Sequence, residues 1–143
     1  MHDLRWIRQN PEAFDAGMAA RGLAARTRTM GEAQENELHA AYRAADVLLF
    51  PSHYEGFGFP VLEAMASGIP VVTSGAGGLA EVAGDAAIVV GGRDVDPYVA
   101  ALRRLTANPQ WIQQLVTRGT ERARRFRWVE TARRTAEVYR SLL

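Results

Sequence analysis

The chain has 143 residues, 48% of them hydrophobic and 23% charged, a composition that suits one globular domain with a core and not a disordered chain. The formal net charge of +1 gives no bulk attraction towards nucleic acid or a membrane surface. Cysteine is absent and all 17 basic residues are arginine, which excludes disulfides, thiolate metal sites, a P-loop lysine and a Schiff-base lysine.

Residues 1–22 read as a helix. Asn10 suits a cap, Pro11 the first helical position, Glu12 the first turn and Gly22 the stop, with Ile7, Phe14 and Met18 on one face. From Leu23 to Glu35 no periodicity emerges, and the segment reads as a junction. A second helix is expected over 37–45, where Leu38, Ala41, Tyr42 and Ala45 share a stripe. Val47 to Phe50 is a short, wholly apolar run stopped by Pro51, the pattern of a parallel strand buried on both faces. A loop from His53 to Phe59 follows. Pro60 opens a helix that Gly68 closes, and Val71 to Thr73 forms the next buried strand. Ser74 to Gly78 is a glycine-rich turn before a short helix over 79–82, and Ala87 to Val90 is a third strand. The remainder is helical: one helix after Asp94–Pro97 with Asp96 as its cap, one capped by Asn108-Pro109, and a last one from Trp128 to the end. The alternation of strands and helices predicts an α/β fold with right-handed crossovers, a truncated Rossmann-like parallel sheet with helical segments at both ends. No apolar run approaches the ~20 residues needed to cross a bilayer, and the mixed, charged start is unlike a signal peptide, so a cytoplasmic location is expected.

The chemistry concentrates in Ser52-His53-Tyr54-Glu55-Gly56-Phe57-Gly58-Phe59-Pro60-Val61-Leu62-Glu63, between a strand and a helix. In open α/β sheets, ligands bind at the carboxyl ends of strands. Gly56 and Gly58 allow close approach of backbone to ligand. The free N–H groups at the start of the helix favour an anion such as a diphosphate. Glu55 and Glu63 supply carboxylates, which accept from the vicinal hydroxyls of a ribose or hexose. Together these groups suit a nucleotide-sugar.

Glu55, seven intervening residues and Glu63 resemble the E-x7-E motif of the retaining GT-B glycosyltransferases of family 4. The likeness extends upstream through Tyr42-Arg43-Ala44-Ala45-Asp46 and Pro51-Ser52. Downstream it takes in Gly68-Ile69-Pro70-Val71-Val72, Gly77-Gly78-Leu79-Ala80-Glu81-Val82, Gly84-Asp85-Ala86-Ala87 and Phe126-Arg127-Trp128. It covers residues 37–143 and implies the C-terminal, donor-binding half of such an enzyme. The resemblance gives Glu55 the catalytic role, at the donor sugar hydroxyls and the developing charge of the anomeric carbon. It gives Gly56, Phe57 and Gly58 backbone contacts to sugar and diphosphate, places Val61 and Leu62 in the donor site, and assigns Glu63 to the ribose hydroxyls. It implies no cofactor and no metal.

Two parts of the family pattern are missing: the upstream Arg and Lys that hold the diphosphate, and the N-terminal acceptor domain. The acceptor is therefore unknown. A second chain supplying that domain, or self-association through an uncovered sheet edge, is expected. Met1-His2-Asp3-Leu4-Arg5-Trp6-Ile7-Arg8-Gln9-Asn10-Pro11-Glu12-Ala13-Phe14 resembles the start of bacterial seryl-tRNA synthetases, a helix without catalytic residues, and the resemblance extends over residues 1–23. The domains are then a leader, 1–36, and a partial glycosyltransferase domain, 37–143.

Plainer readings stand beside these. Glu63 also suits a helix N-terminus favoured by the dipole, and Glu55 a solvated loop. Two carboxylates also suit a glycosidase pair. His53 suits an ordinary loop histidine, and the Gly75–Gly78 turn either binds phosphate or simply turns. Arg118, Arg122, Arg124, Arg125, Arg127, Arg133 and Arg134 read as a solvated helix face, with weak contact to RNA or to acidic headgroups at the inner face of a membrane as the alternative. For function, the alternatives to a transferase are a non-catalytic donor-binding remnant and a tRNA-related module; nucleic acid is not an expected partner.

Overall fold

The computed structural model describes residues 30–92 and 94–142, with Glu12, Ala13 and Ala16 before them. Apart from those three residues, the helix expected over 1–22 and the segment expected to be synthetase-like lie outside the described residues. The chain divides into two units, Met1–Leu38 and His39–Leu143, and the second carries the sheet.

The described elements run α1 (Glu35–Ala44), β1 (Leu48–Phe50), α2 (Phe59–Ala66), β2 (Val71–Ser74), α3 (Leu79–Ala83), β3 (Ile88–Val90), α4 (Val95–Thr106), α5 (Pro109–Ala123) and α6 (Trp128–Ser141). The three strands are parallel in the order β1-β2-β3, with Leu48 beside Val71 and Val72 beside Ile88. This is the α/β architecture expected from the alternating pattern.

All four residues of β2 are buried, because the strand lies between two layers of helices. Successive side chains of a strand point to opposite faces. Val71 accordingly joins a core with Val61, Ala64 and Met65 of α2 and Leu79 and Val82 of α3. Val72 joins a second core with Val90 and with Tyr98, Ala101 and Leu105 of α4 and Leu115 of α5. Helix α5 serves both. A Cβ on its Gly119 would lie 3.2 Å from Met65 Cγ, so α5 packs closely on α2 there.

The structure corrects three local expectations. β1 is not buried on both faces: α4 packs over β2 and β3, and Leu49 is left 42% exposed. The cap of α4 is Asp94, which has extended backbone, whereas Asp96 falls inside the first turn. Glu63 is the fifth residue of α2, and the first turn of that helix contains no acidic residue. The cap expected at Asn108 follows the sequence. Asn108 accepts from the Trp111 N–H at 3.0 Å, and Trp128 opens α6.

Candidate functional site

Residues 51–58 connect the carboxyl end of β1 to α2. This loop is held by a second one, the glycine-rich turn after β2. The Gly78 N–H donates to the Glu55 carbonyl at 2.9 Å. A Cβ on Gly77 would lie 2.2 Å from that same carbonyl oxygen, and one on Gly78 2.5 Å from the Gly56 oxygen. The two loops thus meet backbone to backbone, which only glycine permits. The turn therefore acts structurally, as the support of the loop that carries Glu55.

Gly58 and Gly56 differ in the same respect. Gly58 is buried at φ +101°, and a Cβ there would come within 2.5 Å of Leu79 Cδ2. Its glycine is explained by packing on α3. At Gly56 a Cβ would meet nothing within 4 Å, so the side a Cβ would occupy is open, while its carbonyl oxygen lies against Gly78.

Both carboxylates are tethered by hydroxyl donors. The Ser52 Oγ–H lies 3.0 Å from Glu55 Oε1 and 3.2 Å from the Tyr54 carbonyl, and its single proton serves one of them at a time. The Ser74 hydroxyl donates in turn to the Ser52 carbonyl at 2.6 Å, tying the loop to the end of β2. Tyr42, on α1 and only 7% exposed, donates its phenol to Glu63 Oε2 at 2.9 Å. Burial, and then the Glu63 hydrogen bond and charge, push the Tyr42 phenol above its ordinary value. Glu55 is half-buried, and Glu63 is exposed.

The remaining residues of the motif divide. Val61 is fully buried in the first core, and Leu62 is half-buried against it. The Val61 side chain therefore has no face to offer a ligand, and its N–H already donates to the Gly58 carbonyl at 3.1 Å. Val61, expected in the donor site, thus has its side chain in the core. Phe57 stands in an aromatic string. Its ring is 5.0 Å from that of Phe59 and 5.8 Å, edge-on, from that of Phe126, while Phe59 stacks on Trp128 at 6.2 Å. His53 is exposed in the loop.

Arg122 is the residue that sequence reasoning missed. Read as part of a solvated basic face, it instead donates Nε to the Val82 carbonyl at 2.5 Å and Nη2 to the Glu81 carbonyl, closing the C-terminal end of α3. Its guanidinium also lies 5.7 Å from the Phe126 ring. Gly84, at φ +53°, leaves room for it, since a Cβ there would come within 2.6 Å of the guanidinium carbon.

Residues 9–126 match the family described as glycosyl transferases group 1. The chain belongs to that family. Among its relatives, the O-antigen chain mannosyltransferase B of Escherichia coli is 37% identical over 115 residues, covering 80% of this chain and 30% of that protein. Among solved structures of GT-B glycosyltransferases, sucrose-phosphate synthase from Thermosynechococcus elongatus superposes with a TM-score of 0.80 at 31% identity, covering 92% of this chain and 34% of that one. The Anabaena protein HepE, solved with UDP and glucose, gives a TM-score of 0.83 at 21% identity, over 96% of this chain and 38% of that one. This group 1 glycosyltransferase domain thus spans about a third of the length of the proteins it matches. The family match also begins at residue 9, inside the stretch expected to be a synthetase-like leader.

Proposed function

We propose that this group 1 domain is the donor-binding half of a retaining GT-B glycosyltransferase of the family 4 type. It takes a nucleoside-diphosphate sugar as substrate and works without a resident metal. One observation carries the reading: two carboxylates, Glu55 in the loop after the parallel strand β1 and Glu63 in α2 directly beyond that loop, are each held by a hydroxyl donor, and the loop between them is open on the Cβ side of Gly56. Acceptors so arranged suit a sugar and a ribose on either side of a diphosphate. The presence of UDP and glucose in the HepE structure agrees in chemistry.

In this reading Glu55 accepts from the donor sugar hydroxyls and stabilises positive charge at the anomeric carbon. The Gly56–Gly58 backbone faces sugar and diphosphate. Glu63 accepts from the ribose hydroxyls. The nucleoside diphosphate leaves, and the new bond forms on the face the old one occupied. The acceptor site belongs to sequence beyond the third of a relative that this chain spans, or to a second chain, so this chain alone binds donor without turning it over. The absence of cysteine suits the cytoplasm, and arginines along α5 and α6 suit contact with the inner face of a membrane. The tRNA-related reading of residues 1–23 is not favoured, because the glycosyltransferase match enters that stretch.

The test is calorimetric titration of the chain with UDP, GDP and ADP, repeated on Glu63→Ala. Binding of one nucleotide that is lost in the variant supports the reading and names the base. A folded chain that binds none of them overturns it, and the domain is then a non-catalytic remnant.

A further inference from the structure

We infer that Tyr42 is a positioning residue for the nucleotide: from α1, outside the E-x7-E loop, it sets the orientation of Glu63 and so the strength with which the ribose diol is held. The inference rests on the proposed role of Glu63.

Three observations lead to it. The Tyr42 ring belongs to the first core, packed with Val61, Met65 and Val71, so its hydroxyl has one fixed place. That hydroxyl donates to Glu63 Oε2 at 2.9 Å. A buried phenol that lost this acceptor would be left unpaired, so the contact is costly to break. Glu63 itself is an exposed residue on an outward position of α2, and a free glutamate of that kind samples several rotamers. The phenol removes this freedom by holding one carboxylate oxygen and leaving Oε1 for a ligand. Tyr42, being buried, touches no ligand itself; it acts through Glu63.

This division of labour predicts a signature that a purely structural tyrosine lacks. Tyr42→Phe keeps the ring and its packing and removes only the donor. The full chain and the variant are titrated with UDP, GDP and ADP and with their 2′,3′-dideoxy counterparts. The expected result is a loss of about tenfold in affinity for the ribonucleotide that binds, the scale of one well-placed charge-assisted hydrogen bond, with the dideoxy affinity unchanged. Equal weakening of both nucleotides, or no change in either, overturns the inference while leaving the donor site standing. A wild-type chain that binds no nucleotide overturns the donor-site reading and this inference with it. A second measurement needs no variant. The Tyr42 ζ-carbon resonance of the wild-type chain is expected to move on adding the ribonucleotide and to stay in place with the dideoxy form. A resonance that responds identically to both overturns the inference even if Tyr42→Phe does not fold.

Discussion

The Glu55 carbonyl oxygen lies where a side chain on Gly77 would begin: a Cβ built on that glycine comes within 2.2 Å of it. The loop bearing the first carboxylate of the motif is therefore shaped by a residue 22 positions later in the chain. At φ +60°, Gly77 is also in the left-handed region. Gly77→Ala is expected to cost at least ~1–2 kcal/mol from the backbone conformation alone, and further stability as the two loops separate. Gly56→Ala, with open space at its Cβ, is expected to stay within about 0.5 kcal/mol of the parent. Urea unfolding of the two variants checks the contrast. Equal stabilities would mean that the loops do not depend on each other.

Arg122 gives a second test of long-range support. It joins α5 to the last carbonyls of α3, Glu81 and Val82. Arg122→Ala removes both hydrogen bonds and the cation beside a helix C-terminus, and is expected to destabilise by about 1–2 kcal/mol. Arg124→Ala, two residues on and exposed, is expected to change stability by less than about 0.5 kcal/mol. Thermal melts of the pair distinguish a structural arginine from a solvated one.

The Tyr42 phenol makes stability depend on alkaline pH. Its folded value is raised above the ordinary 10.0 by burial, and then by the Glu63 hydrogen bond and charge. A raised value means that the folded state holds its proton after the unfolded state has released it. The contribution is fully present below the unfolded value and is lost as pH rises through the folded one. The melting temperature is therefore expected to fall above pH 10.0 more steeply for the parent than for Tyr42→Phe. Parallel curves would sink this assignment.

Helix α6 depends on pH at the acid end. Arg133 and then Arg134, by hydrogen bonds, hold the Glu130 carboxyl down to about 2. Glu130 bonds Arg133 at 2.6 Å and Arg134 at 2.7 Å. A lowered value stabilises above the ordinary 4.5, and that stabilisation is lost as pH falls through about 2. These are exposed pairs, so added salt is expected to weaken them. Circular dichroism of the parent should show acid loss of helix that Glu130→Gln lacks, and the difference between the two should shrink in high salt.

Local chemistry makes much of this fold legible. Asn108-Pro109 marks the start of α5 because a capping side chain and a fixed φ act within one turn, and the β-branched run Val71-Val72-Thr73 marks β2 because a strand between two helical layers carries no charged face. Where distant parts meet, the sequence is silent. Gly58 and Gly77 read as ligand-facing or as plain turn residues, and only the folded chain sets Leu79 and the Glu55 carbonyl beside them. Glu63 reads as a first-turn carboxylate when Pro60 is taken as the start, whereas α2 begins at Phe59, and its tie to Tyr42 crosses 21 positions. Val61 fits a loop-to-helix motif by position, and only the folded chain shows its side chain buried in the core. Arg122 sits among look-alike arginines, and only its bonds to the α3 carbonyls set it apart.

The aromatic string from Trp128 through Phe59 and Phe57 to Phe126 has an optical consequence. The Trp128 indole is 77% exposed, and its ring stacks on Phe59 next to the Glu55 loop. Indole emission is sensitive to how much water reaches the ring. Any event that shifts Phe57 or covers Phe59 alters the surroundings of Trp128, and the chain has only two other tryptophans, Trp6 and Trp111. With both replaced by phenylalanine, the protein carries its own fluorescent reporter of the loop, readable at low concentration and without a label.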